Sequence, residues 1–334
     1  MPYSIVVNGL DNAYIRELGC PCDRCQRQSR AANTSVSILE TLPNGTVKRH
    51  LLVDAGAGVR ESLMSHAVLR PNFVLDGVLL THWHVDHTCE LTHLAVTLAR
   101  SRAREGRTLA PIPVWCRYGS EQWLQKNLLE LEKTPIEFRS FGHLEPSGVL
   151  LESVPVGWAG MRVTPVTISH SSADISRNGG TEDFPSCCGY LLEFANGVRV
   201  ALLWDMDVNN TWLEYPNAAN LETIERLRGV DHLFIDSNTW LYDQNKLGRP
   251  ASHLSFAIVR RFARILEPKQ TWLMHISGHE DQPGSGFGWD DATWRRNARD
   301  AWSETGLRGS VDVPTIGQMI ALESERELAA NGVF

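Results

Sequence analysis

Short β-rich runs ending in turns fill the first third of the chain. Residues 4–8, 35–40 and 47–53 are such runs, and Pro43-Asn44-Gly45 between the last two predicts a hairpin. Residues 76–80, Asp-Gly-Val-Leu-Leu, make the short apolar run expected of a buried strand. Residues 89–104 then carry Leu91, Leu94, Ala95, Leu98 and Ala99 at helical spacing. A second series follows, with strands near Val114, over 149–154, 161–168, 190–194, 198–203 and 232–235, and near 318–322. Helices are expected over 221–228, 252–266 and 292–303. Strands and helices on both sides of the midpoint predict an α/β protein in which two sheets pack between outer helices, an αββα sandwich. Residues 171–186, dominated by Asp, Ser, Asn, Gly and Pro, read as a loop.

No repeat, low-complexity tract or linker divides the sequence, so one domain over residues 1–334 is expected, its 43% hydrophobic content sufficient for a sizeable core. The first residues lack a basic segment followed by a long apolar stretch, and no run reaches the length of a membrane span. A cytoplasmic protein with no membrane partner is the expectation. With 32 basic against 39 acidic side chains the formal charge is -7, which gives no basic field for long nucleic acid. A small anionic substrate held by local metal charge fits better. The oligomeric state, a homodimer included, is open at this level.

Thr81-His82-Trp83-His84-Val85-Asp86-His87 concentrates four potential metal ligands where a strand hands over to a helix. Imidazole and carboxylate are the usual protein ligands of catalytic zinc. On an extended segment His82 and His84 point to one side, while Asp86 and His87 turn toward a neighbouring position, so the cluster can feed two ions. A lone histidine at a strand end is more often a core or surface residue; four at this density are not.

This H-x-H-x-D-H run resembles the signature of the metallo-β-lactamase superfamily. The resemblance implies further residues in chain order: Asp54 after an early strand, supporting the ligands, then His170, Asp205 and His275, each at a strand end. It implies His82, His84 and His170 on one divalent metal, Asp86, His87 and His275 on a second, and Asp205 bridging them, with Asp207 as the rival bridge. The metals implied are zinc or manganese. Two such ions ionise a water near neutral pH and draw charge from substrate oxygens, which suits hydrolysis of a phosphodiester or similar bond. Asp86 and His253 are the expected catalytic residues.

Seven cysteines are too few for a disulfide scaffold, and three crowd into Cys20-Pro21-Cys22-Asp23-Arg24-Cys25. They supply three thiolates for one metal, one ligand short of a closed tetrahedral site; buried or redox-active thiols are the alternative. The C-x-C-x-x-C is similar to the superfamily branch that includes phosphoribosyl cyclic phosphate phosphodiesterases. That resemblance implies His279 as the fourth ligand of a structural zinc, held by an N-terminal loop over residues 18–34. Asn33-Thr34-Ser35 and Gly189-Tyr190-Leu191-Leu192-Glu193 resemble the same branch. So does Ser252-His253-Leu254-Ser255, which is expected to open a helix and to offer His253 as general acid or transition-state stabiliser, a capping histidine being the alternative. The chain departs from the branch in a longer loop over 171–187, with Asp174, Arg177, Asn178, Asp183 and Cys187-Cys188, expected to border the cleft as a lid or a rim ornament.

The function expected is hydrolysis of a small cyclic or nucleotide-like phosphodiester. Alternatives are a hydrolase of lactones, thioesters or β-lactams, a pyrroloquinoline-quinone-pathway-like protein, a ribonuclease Z-like nuclease, and a metal-binding scaffold without activity. Acidity counts against the nuclease, and the complete ligand set counts against the scaffold.

Overall fold

The structure is a computed structural model that describes residues 2–69, 73–108, 110–127, 134–176, 183–242 and 252–324. Its first sheet contains β1 (Tyr3–Gly9), β2 (Ser35–Thr41), β3 (Val47–Val53), β4 (Gly77–Leu79), β5 (Ile112–Arg117) and β6 (Ile136–Phe141) in that order, with β15 (Met319–Ala321) added beside β1. The second sheet runs β14 (Ser310–Asp312), β13 (Gln270–Met274), β12 (His232–Asp236), β11 (Arg199–Leu203), β10 (Cys188–Phe194), β7 (Met161–Thr167). A separate two-residue ladder joins β8 (Ile175–Ser176) to β9 (Asp183–Phe184) inside the expected loop. The helices described are α1 (Asp23–Gln26), α2 (Val59–Ser65), α3 (Val85–Thr88), α4 (Leu91–Arg104), α5 (Ser120–Asn127), α6 (Ala218–Leu227), α7 (Phe256–Leu266) and α8 (Asp291–Glu304).

The two-residue period of the strands sorts side chains into layers. Ile5, Val7, Val36, Ile38, Leu51, Val53 and Leu79 share one buried cluster with the second sheet, while the alternate residues Val6, Leu39, Leu52, Val78 and Leu80 pack with Val59 and Leu63 of α2 and Leu91, Leu94 and Leu98 of α4. From the other side, Phe194 packs its ring at a tilt with its centroid 4.9 Å from that of Tyr3, and the Tyr190 hydroxyl donates to the Leu80 carbonyl at 2.6 Å. Ile224 of α6, Val259 and Phe262 of α7, and Trp294 of α8 complete that cluster. The αββα sandwich is therefore present. No helix among the described residues is long and apolar enough to cross a membrane.

Two expected elements differ. Residues 149–154 form no strand; they meet β7 through isolated bridges at Leu150 and Val154. Leu151 N–H donates to the Pro165 carbonyl at 3.0 Å, and Pro165 has no N–H to return, so the ladder breaks there. The helix expected over 252–266 begins only at Phe256, capped by Ser255, whose side chain accepts from Ile258 N–H. His253 thus lies in the loop before the cap, and the capping role is removed.

Within the first sheet β3 and β4 are parallel, and within the second β11, β12 and β13 are parallel. Their carboxyl ends emerge together, the usual place for a site in parallel α/β sheets.

Candidate metal centre

The chain turns sharply where the strands end. Of the four described non-glycine residues with left-handed backbone, three are Asp54 (φ 61°), Asp205 (φ 58°) and His275 (φ 57°), at the ends of β3, β11 and β13. Such conformations are disfavoured for residues with a Cβ, even for Asp and His, which tolerate them better than most, and persist where the surroundings over-determine them. Each turn swings its side chain into one cleft. Gly56 serves the same end: a Cβ there would overlap the Asp86 carbonyl, so glycine lets the two backbones touch.

The sequence-predicted residues converge in two groups. His82, His84 and His170 offer ligand atoms that lie within 4.8 Å of one another, and so do Asp86, His87, Asp205 and His275. Asp205 stands between them, 1% exposed: Oδ2 lies 3.1 Å from His87 Nε2, and Oδ1 lies 3.2 Å from His275 Nε2 and 3.9 Å from His170 Nε2. Asp86 Oδ2 is 3.1 Å from His87 Nε2.

Each imidazole is fixed by its other nitrogen. His87 Nδ1 donates to Asp54 Oδ2 at 2.8 Å. Thr81 Oγ1 donates to Asp54 and accepts from His82 Nδ1 at 3.1 Å. Thr34 Oγ1 donates to the Asp11 carbonyl and accepts from His275 Nδ1 at 3.2 Å. His84 Nε2 donates to Ser172 O at 3.1 Å and His170 Nδ1 to Ser252 O at 3.2 Å. This is the outer support that metal-ligating histidines require. Asp54 also accepts from Trp204 Nε1 at 2.8 Å, which ties the two sheets at the site.

What is left over identifies the missing chemistry. His82 Nε2, His87 Nε2, His275 Nε2 and Asp205 Oδ2 are buried and make no hydrogen bond among the described residues. Unsatisfied buried polar atoms are rare and costly, and four pointing into one cleft fit bound cations. Burial holds His82 well below its ordinary pKa, His170 down to about 3 and His275 down to about 4, so all three present lone pairs. Burial opposes charge on His87 as well, yet Asp205, Asp86 and Asp54 together raise it well above the ordinary value. Asp86, despite burial, is lowered to about 2 by His87. Asp54, Asp86 and Asp205 surround the single raised imidazole of His87, and divalent cations held here would offset the remaining negative charge.

A second cluster lies beside the first. His279 Nε2 is 3.3 Å from the sulfurs of Cys22 and Cys25 and 3.8 Å from that of Cys20. Zinc bonds of about 2.3 Å to sulfur and 2.0 Å to nitrogen at a tetrahedral angle separate S and N by about 3.5 Å, so these four residues could close around one zinc. The Cys loop is bolted down by Arg24, buried and paired with Asp11 and Asp291, and by Arg27, 2.6 Å from Asp11. At Gly288 a Cβ would overlap Cys22, and its carbonyl accepts from Arg24 N–H at 3.0 Å. Asp11 bridges to Ile276, one residue beyond His275, so the two clusters share a frame.

His253 reaches the cleft from the loop before α7, its ring 4.7 Å from that of His275 and 5.1 Å from that of His170. Its Nδ1 is 3.0 Å from Asp236 Oδ2. Burial works against both charges and raises Asp236 to about 6, but Asp236 outweighs burial for His253 and raises it to about 9, leaving an ion pair at neutral pH. Asp236 and Ser172 are site residues that sequence reasoning missed, while Thr34 and Ser252, noted there only within stretches that resemble the branch, prove to support His275 and His170; Asp236 closes an apolar strand as Asp205 nearly does, and that was the available signal. Asp207, the rival bridge, turns away: its carboxylate accepts from Ser171 N–H and Oγ at 3.0 and 2.9 Å. The base of the 171–187 loop is no ornament, since Ser172 meets His84 and Ala173 O accepts from Trp83 Nε1 at 2.8 Å. Arg177 and Asn178 lie outside the described residues, and Cys188 already belongs to β10.

A sequence profile described as "Beta-lactamase superfamily domain" matches residues 49–276. Among solved structures, a "New Diphosphatase from the PhnP Family" superposes with a TM-score of 0.60 at 20% identity, covering 96% of this chain and 97% of that one. The "metallo-beta-lactamase fold protein YhfI from Bacillus subtilis" gives 0.62 at 16% identity, covering 96% and 100%. At such identities the likeness is one of fold. An "Atrochrysone carboxyl ACP thioesterase" from a Cryptosporiopsis species is 48% identical over 46 residues, a match spanning 13% of this chain and 14% of that enzyme.

Proposed function

The chain belongs to the β-lactamase superfamily, and from that premise we propose that it is a metal-dependent hydrolase of a small, cyclic or nucleotide-like phosphodiester. In this reading His82, His84 and His170 hold one divalent cation, zinc or manganese, Asp86, His87 and His275 hold a second, and Asp205 spans both. Cys20, Cys22, Cys25 and His279 hold a structural zinc. When bound, the cleft cations supply an ionised water near neutral pH and offset charge developing on the substrate's oxygens.

The observation that carries the phosphodiester reading is the His253–Asp236 pair. Attack of water on a phosphodiester breaks one P–O bond and expels a poor alkoxide leaving group, whose oxygen needs a proton delivered to it. His253 stands beside both ligand groups, its Nδ1 engaged by Asp236, so the proton it can deliver is the one on Nε2. Asp236 keeps the ring charged and oriented. After departure Nε2 is the base that recovers a proton from water. The small anionic substrate would be drawn by the cations the cleft holds rather than by the chain as a whole, whose formal net charge is -7.

A second reading has one observation behind it, the short match to a thioesterase. The same cleft could hydrolyse a thioester, whose thiolate leaves without protonation and would make little use of His253. The test is a panel of bis-p-nitrophenyl phosphate, a cyclic ribose phosphate, a lactone and an acyl thioester, each with and without chelator. Chelator-sensitive turnover of the phosphodiesters above the carbonyl substrates is expected; the reverse order overturns the phosphodiester reading in favour of the second.

A further inference from the structure

Asp207 is fully buried two residues past Asp205, yet its side chain joins neither ligand group. Among the described residues, its carboxylate bonds sideways, to Ser171 and Asn209. Oδ2 accepts from Ser171 N–H at 3.0 Å, from Ser171 Oγ at 2.9 Å and from Asn209 Nδ2 at 3.1 Å, and Oδ1 accepts from Asn209 N–H at 2.9 Å. Its own N–H donates to Ser169 O at 3.0 Å. Asn210 completes the grip, Oδ1 accepting from Ser169 N–H and Nδ2 donating to Ser169 O, both at 2.8 Å. The residues on either side of His170 are therefore held by one turn, Asp207 to Asn210, that issues from the same strand end as Asp205.

The grip extends to a second ligand. Ser171 opens the short turn Ser171–Ala173, and the next residue, Ser172, supplies the carbonyl that His84 Nε2 meets at 3.1 Å and a hydroxyl 3.1 Å from His170 Nε2. Ala173 O accepts from Trp83 Nε1 at 2.8 Å and from Ser186 Oγ, so both ends of the 171–187 segment close on this point. The ligands on the other side depend on different partners: His87 on Asp54 and His275 on Thr34.

We propose that Asp207 is a positioning residue for one half of the metal centre, locking the Ser169–Ser172 segment so that His170 and His84 face His82 at ligand distance. The proposal rests on the metal-dependent reading above. It predicts an asymmetric defect, because cutting the Asp207–Ser171 bonds frees His170 and His84 and leaves His87 on Asp54 and His275 on Thr34. Removing such an outer partner typically weakens metal affinity about 10–100-fold.

The test is titration of chelator-treated protein with Co²⁺, followed by its visible absorption and by calorimetry, in wild type, Asp207→Ala, Asp207→Asn and Ser171→Ala. Wild type should take up two ions in the cleft. Asp207→Ala should weaken one of them about 10–100-fold with the other unchanged. Asp207→Asn, which keeps one oxygen acceptor, should recover part of that loss, and Ser171→Ala, which deletes only the hydroxyl contact, should show a smaller defect at the same ion. Two ions bound by Asp207→Ala as tightly as by wild type overturn the proposal alone. Equal weakening of both ions with no recovery in Asp207→Asn overturns it too, as general loosening. Should Asp207→Ala fail to fold, an unchanged titration in Ser171→Ala and Asp207→Asn counts against it. A wild type that takes up fewer than two cleft ions sinks the metal reading and the proposal with it.

Discussion

The Asp236 carboxylate at the end of β12 lies 3.0 Å from Nδ1 of His253, and this contact turns a loop histidine into a charged group at the edge of the ligand cluster. Its consequence is a leaving-group effect. A positioned imidazole contributes about 10²–10⁴-fold by general acid catalysis. His253→Ala should keep its metals and lose kcat in that range on a phosphodiester with an alkoxide leaving group. On p-nitrophenyl esters, which need little protonation, the loss should be far smaller. Equal losses on both would assign His253 to binding phosphoryl oxygens instead.

The Asp205 carboxylate lies within 4 Å of histidine nitrogens from both ligand groups. Changing residues that only support ligands costs about 10–100-fold, so Asp205→Asn, which replaces a bridging anion by a neutral amide, should cost more than about 100-fold in hydrolysis. Its circular dichroism should match wild type. Turnover near the wild-type level would remove Asp205 from the bridge.

His279 lies 3.3–3.8 Å from three sulfurs, and its other nitrogen is 3.1 Å from Ser277 Oγ. His279→Ala should lose one zinc per chain, measured by elemental analysis, and melt several degrees lower, because zinc binding at such a site is folding free energy. Activity should fall only as that frame loosens. Full zinc content with an unchanged melting temperature would assign the fourth ligand elsewhere.

His50 sets a pH dependence unrelated to the cleft. Buried in β3, it donates from Nδ1 to Val74 O at 2.7 Å and has Nε2 2.8 Å from Ser37 Oγ, and burial lowers it to about 4. The unfolded chain takes up that proton near pH 6.5 while the folded chain resists until about pH 4, so stability is lost as pH falls through this window. Between pH 7.5 and 5 the loss amounts to about 2 kcal/mol. Urea unfolding of wild type and His50→Gln should show wild type losing that much more over the interval. Parallel pH profiles would contradict the assignment.

The layers were legible because alternation in β1 to β4 separates Ile5, Val7 and Ile38 from Val6 and Leu39, and no tertiary knowledge is needed to read it. The ligands were legible because the H-x-H-x-D-H run is dense, and because His170, Asp205 and His275 follow apolar strands. Less was readable where geometry depends on a partner. Residues 149–154 have strand-like composition, but Pro165 across from them cannot donate. β6, with its half-exposed Ile136 and Phe141, and α2 and α5 carry too short a pattern to stand out. The left-handed turns at Asp54 and His275, and the attachment of His84 to Ser172, arise from contacts 27 or more residues apart. Asp207 was read as a rival ligand for the same reason, since only the fold shows Ser171 beneath it.

The central claim is that this chain carries two divalent ions in its cleft and uses them for hydrolysis. It is tested most directly by measuring metal content per chain after gentle purification, alongside hydrolysis of bis-p-nitrophenyl phosphate during stepwise reconstitution of the chelated protein. About three ions per chain are predicted, two from the cleft and one zinc from the cysteine cluster, with hydrolysis returning only as the cleft ions are restored. About one ion or fewer per chain, or full hydrolysis before any cleft ion is bound, would contradict it.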